Sequence, residues 1–89
     1  MNDIVQAKLA ELGRRFAAQA PERRTALRAA LDEGDLPALA TLAHRLAGNA
    51  GMFGYPAISE AAFAVEQAID EERDPTEPAA VLMDLLGAV

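Results

Sequence analysis

The chain has 89 residues, a net charge of −6, 52% apolar residues, 4% aromatic residues and no cysteine. This length fits one domain over residues 1–89, and the apolar fraction is too high for a disordered chain. The missing cysteine excludes disulfides, zinc–cysteine sites and thiol catalysis, and an acidic chain whose arginines are interspersed with Glu and Asp is a poor nucleic-acid binder. No apolar run approaches the ~20 residues that span a bilayer, and the start Met1-Asn2-Asp3-Ile4 lacks the basic and apolar regions of a signal peptide. A cytoplasmic protein without a membrane partner is expected.

Abundant Ala, few β-branched residues and apolar positions recurring at three and four predict an all-α fold. The first helix is predicted from Asn2 to Ala18, with Val5, Leu9, Leu12 and Phe16 facing inward. A second opens at Pro21, a good first-turn residue, and stops before Gly34. It carries Leu27 and Leu31 inward and Arg23, Arg24 and Arg28 outward. Asp35 is the predicted N-cap of a third helix that tolerates Pro37 in its first turn. Its inward stripe is Leu39, Ala43, Leu46, Ala50 and Phe53, and Gly54 suits the position after its end.

A fourth helix starts at Pro56, after Tyr55 at its entry, and buries Ile58, Ala61, Ala62, Val65 and Ile69. It ends in Asp70-Glu71-Glu72, where acidic residues oppose the helix dipole and predict fraying. Residues 74–78 read as a turn and cap, and a fifth helix from about Ala79 to Gly87 presents Leu82, Leu85 and Leu86. Short connections make neighbours antiparallel. The expected architecture is an antiparallel four-helix bundle with an additional N-terminal helix.

His44 is the one histidine. On a helix its surface neighbours are residues three and four away, here Ala40, Thr41, Ala47 and Gly48, with Gly51 a turn further on. It lies about 100° round from the core residue Ala43. Mid-helix Gly costs ~1 kcal/mol relative to Ala, so Gly48 and Gly51 call for a reason: close approach of a partner or a substituent on His44, or tight helix packing. A lone helical His is most often a solvated or core-edge residue. A metal site lacks a second His or Cys. Ser59 is the one serine and sits in no nucleophile elbow, and the Gly-Lys-Ser/Thr of a phosphate loop is absent.

His44-x-Leu46-x-Gly48, followed by Gly51 and Gly54, resembles the signature of histidine-containing phosphotransfer (HPt) domains. The turn Glu33-Gly34-Asp35-Leu36-Pro37-Ala38-Leu39 is similar to the family's entry into its active helix, and the likeness runs roughly from Leu12 to Ile69. The resemblance implies a four-helix bundle, often with an extra N-terminal helix. It implies a phosphotransfer intermediate of a two-component phosphorelay that has no ATP site and no kinase activity. His44 would accept a phosphoryl group from a receiver aspartate or a kinase and pass it to another receiver.

The partners so implied are a response-regulator receiver domain and a hybrid or sensor histidine kinase. By the same resemblance the chain itself would bind no cofactor, and the receiver would supply Mg²⁺. The attacking atom is expected to be Nε2 of neutral imidazole, with Nδ1–H held by an acceptor. Glu66 stands where some HPt domains carry Glu or Gln; the alternative is an ordinary solvated carboxylate.

Ala47 departs from the pattern, because many HPt domains have Lys at +3 from the histidine. Arg45 on the neighbouring flank is a candidate substitute, and Thr41 and Asn49 are further hydrogen-bonding groups. Receivers present a small apolar patch, so Leu36, Ala40, Gly48, Gly51 and Met52 are expected at the docking face, around Ala47 and Arg45. Met52 and Phe53 also read as loop or core packing. The absent Lys motivates a second reading, a degenerate HPt-like adaptor that binds a receiver or kinase without taking phosphate. A monomer is expected; the alternative is a bundle that dimerises through Gly48 and Gly51.

Overall fold

A computed structural model describes residues 3–89. Its helices are α1 (Asp3–Asp32), α2 (Leu36–Asn49), α3 (Pro56–Asp70) and α4 (Thr76–Gly87). Each packs on its neighbours in the chain, α1 closes the ring against α4, and the diagonal pairs do not meet. The short connections reverse direction each time. The result is an all-α antiparallel four-helix bundle.

Small residues let these helices approach closely. Ala20, Ala43, Ala62, Ala68 and Ala79 are fully covered, and Leu27, Leu39, Leu46, Leu82, Met83 and Leu86 fill the space between them. The predicted stripe is observed in part: Leu39, Ala43 and Leu46 on α2 and Ala50 at its cap are buried, whereas Phe53 lies beyond the helix and is half-buried.

The two N-terminal segments form one helix rather than two, so the additional helix is not a separate element. Its predicted start at Asn2 lies outside the described residues. Pro21 sits inside α1, although it lacks the N–H that would bond the Ala17 carbonyl. Tertiary burial overrides that penalty, because Phe16 and Ala20 are anchored before Pro21 and Leu27 and Ala30 after it. Arg23 Nη2 donates to Gln19 Oε1 at 2.9 Å across the proline.

A helix of 30 residues is about 45 Å long, against overall extents of 47 × 22 × 18 Å. The shorter partners cannot cover it. The expectation that Val5 and Leu9 face a core is therefore corrected: Ile4, Val5 and Leu9 are exposed on the overhang. The inward face begins at Gly13 and Phe16.

The helix ends are closed by paired backbone bonds. After α1, Asp35 N–H donates to Ala30 O at 2.9 Å and Gly34 N–H to Leu31 O at 3.1 Å, with Gly34 at φ 67°. The same pattern follows α2, where Tyr55 N–H bonds Ala50 O at 2.8 Å and Gly54 bonds Gly51 O at 3.3 Å. Gly54 (φ 94°) closes this turn in the left-handed conformation; α2 itself stops at Asn49, short of the expected end beside Gly54, and leaves Gly51 in the turn. The acidic end of α3, expected to fray, is closed in the same way. Arg73 N–H donates to Ala68 O at 2.7 Å and Glu72 N–H to Ile69 O at 3.1 Å, with Glu72 in the left-handed region at φ 57°.

Three of the four aromatic residues form one cluster under the α2–α3 turn. The Phe16 ring lies 6.1 Å from Phe53 and 5.3 Å from Tyr55, centroid to centroid. Arg23 stands over Phe16 at 6.0 Å. Arg24 does not simply point outward: its Nε donates to the Met83 carbonyl near the end of α4 at 3.0 Å. A cation there also opposes the negative end of the helix dipole.

Candidate functional site

Burial of Ala43 and Leu46 fixes the rotation of α2 and turns His44 outward, where its side chain is 79% exposed. α3 runs beside it. His44 Nδ1 lies 3.0 Å from Glu66 Oε2, and the Glu66 side chain is 28% exposed. An ionised carboxylate only accepts, so this contact assigns the ring proton to Nδ1 when the imidazole is neutral. Nε2 then keeps a lone pair on the open side of the ring. A nucleophilic nitrogen with its tautomer set by a neighbouring carboxylate is suited to accept an electrophilic group such as a phosphoryl.

The register of α2 on α3 is pinned close by. Ala50 N–H takes the Leu46 carbonyl at 2.9 Å, and the next carbonyl, that of Ala47, accepts from Ser59 Oγ at 2.6 Å. Ser59 thus completes the end of α2. Gly51 lies in the turn after α2 rather than mid-helix, and a Cβ there would meet Ser59 at 3.7 Å, an ordinary contact, so packing does not require glycine at this position. Gly48 differs, because a Cβ there would meet nothing within 4 Å. No contact among the described residues requires that glycine, and the surface one turn beyond His44 is clear.

The other expected residues divide by helix face. Ala40 and Ala47 are half-buried on the α3 side of α2, in line with His44. Leu36 is exposed in the first turn of α2, and Met52 is exposed in the turn after it. Arg45 is exposed about 100° round from His44, on the flank away from α3. It makes no side-chain hydrogen bond or ion pair among the described residues. Thr41 Oγ1 donates to the Pro37 carbonyl at 3.0 Å, so it serves its own helix. Asn49 lines a separate depression with Arg15, Gln19, Arg23 and Phe53. His44, Glu66, Ala40 and Ala47 are therefore drawn together, with Gly48 beside them; Arg45, Asn49 and Met52 stand apart.

Sequence reasoning passed over Phe63. It lies on α3 one turn before Glu66 and is 58% exposed. With Ala40, Glu66, Gln67, Ile69, Asp70 and Glu71 it lines a shallow depression of about 350 Å³ adjoining the histidine. The available signal was its place outside the 58, 61, 62, 65, 68 stripe of α3.

No described helix is long and apolar enough to cross a membrane. A family model described as Hpt domain matches residues 11–89. Comparisons with curated proteins and with solved structures gave no match.

Proposed function

The chain belongs to the Hpt domain family, and on that premise we propose that it is a cytoplasmic phosphorelay intermediate that carries a phosphoryl group on His44. The observation that supports this most is the exposed imidazole whose Nδ1 is held by Glu66 at 3.0 Å, next to the open surface at Gly48.

In the proposed step the Nε2 lone pair attacks the phosphorus of a receiver's aspartyl phosphate. The N–P bond forms as the P–O bond to aspartate breaks, and the carboxylate leaves with the electron pair. The ring becomes a phosphoimidazolium, and its Nδ1–H bond to Glu66 becomes charge-assisted and stronger. Transfer to a second receiver runs the same exchange in reverse. Mg²⁺ belongs to the receiver, where it screens phosphoryl charge; this chain contributes the nucleophile, its orientation and the docking face.

The test mixes the protein with receiver domains carrying aspartyl phosphate and compares wild type with His44→Gln. Acid-labile phosphate on wild type and none on the variant is the expected result. No labelling of wild type by any receiver of the host would overturn the proposal. Ala47 in place of the usual Lys favours the second reading, an adaptor that binds without accepting phosphate. Unchanged receiver binding by His44→Ala, together with no labelling of wild type, would establish that reading instead.

A further inference from the structure

Phe63 is the one exposed aromatic side chain among the described residues. The other three, Phe16, Phe53 and Tyr55, are packed together, whereas Phe63 is 58% exposed. Leaving such a ring in water forgoes hydrophobic stabilisation. It lies three residues before Glu66 on α3, and residues so spaced have neighbouring side chains, with Cβ atoms about 5–6 Å apart. It shares its depression with Ala40, one turn before His44 on α2. Ala40 of α2 and Phe63 of α3 thus place apolar groups from both helices in one depression next to Glu66.

The far rim of that depression is acidic. Glu71 is paired with Arg73 at 3.0 Å, and Glu66 holds His44. Asp70 makes no ion pair among the described residues. Whatever covers Phe63 brings its own surface against this free carboxylate. The pattern of an aromatic anchor with a charged rim is that of a binding hot spot.

Resting on the phosphotransfer reading above, we propose that Phe63 anchors the receiver domain during transfer. Its ring enters an apolar recess of the receiver beside the phosphorylated aspartate, while Asp70 faces a Lys or Arg on that same partner. Affinity then comes mainly from Phe63, and choice among receivers comes from the charge opposite Asp70. A receiver with an acidic residue at that place would be rejected.

The experiment measures transfer from receivers carrying aspartyl phosphate, below saturation, to wild type, Phe63→Gln, Phe63→Leu, Asp70→Lys and Val81→Ser. Val81 is an exposed apolar residue on α4, which does not meet α2. Circular dichroism and melting temperature verify that each variant is folded. Phe63→Gln is expected to slow transfer at least about tenfold, Phe63→Leu to recover most of it, and Val81→Ser to match wild type. Asp70→Lys is expected to slow transfer several-fold at low ionic strength, with the deficit shrinking as salt is added. Wild-type rates for Phe63→Gln with every receiver that serves the wild-type chain would overturn the proposal while leaving His44 as the acceptor. No transfer to wild type from any receiver would overturn both.

Discussion

Glu66 Oε2 lies 3.0 Å from His44 Nδ1, so the histidine of α2 is oriented by a carboxylate on α3. The pair spans two helices, and Ser59 Oγ bonded to the Ala47 carbonyl at 2.6 Å fixes their register nearby. A charge-assisted hydrogen bond contributes ~1.5–3 kcal/mol, less where water reaches it, as at this edge. Glu66→Ala is therefore expected to slow phosphoryl transfer about tenfold, since each ~1.4 kcal/mol is a factor of ten. Glu66→Gln keeps an acceptor without the charge and should fall between. Single-turnover rates with a phosphorylated receiver measure this, and equal rates for all three proteins would remove Glu66 from the mechanism.

Gly48 and Gly13 make a matched test of why a helix carries glycine. A Cβ at Gly48 meets nothing within 4 Å, whereas at Gly13 it comes to 3.0 Å from the Phe53 carbonyl oxygen. Gly48→Ala should raise stability by ~1 kcal/mol, the helix-propensity gain alone. Gly13→Ala should lose that gain to the clash, because the α2–α3 turn is held by its own backbone bonds, and should melt at or below the wild-type temperature. Gly48→Gln should also melt at least as high as wild type yet block transfer by crowding the imidazole. Normal transfer by that variant would mean that the clearing serves no docking partner.

The parts of this molecule that a reader of the sequence can find are those set by local periodicity. Leu39, Ala43, Leu46 and Ala50 recur at helical spacing and are buried, and the outward position of His44 follows from them. Its pairing with Glu66 is reachable because a short turn makes α2 and α3 antiparallel neighbours. Pro21 misleads, since an interior proline costs ~3 kcal/mol in an isolated helix and only the packing of Phe16, Ala20, Leu27 and Ala30 outweighs it. The exposure of Ile4, Val5 and Leu9 is likewise non-local: it depends on α2–α4 being shorter than α1. Phe63 is visibly off the core stripe, but the depression it lines with Ala40 exists only once the helices are assembled.

Glu72 holds the left-handed turn that ends α3, at φ 57°. That conformation costs an L-residue ~1–2 kcal/mol, and the carboxylate also sits near the unfavourable end of the helix dipole. Glu72→Gly removes both terms and adds unfolded-state entropy of ~0.4–1 kcal/mol. A net gain of roughly 0.5–1 kcal/mol is expected, a rise of several degrees in melting temperature for a domain of this size. A lower melting temperature would show that Glu72 makes a compensating interaction.

Asp74 gives the fold a pH-dependent joint between α3 and α4. Its Oδ1 accepts from the Thr76 hydroxyl at 2.6 Å and from the Thr76 backbone N–H at 2.9 Å. The hydroxyl bond first and the backbone bond second hold its carboxyl below the ordinary value of 3.8. The unfolded chain, with the ordinary value, takes up its proton earlier as the pH falls, so stability decreases with acidification in that window. The contribution is complete above pH 3.8 and is lost as the pH passes down through the lowered folded value. Asp74→Asn keeps an oxygen in place and removes the charge. It should melt lower than wild type at neutral pH, and the two melting curves should converge on acidification. Curves that stay parallel from neutral pH into strong acid would show that the carboxylate's charge contributes nothing to the start of α4.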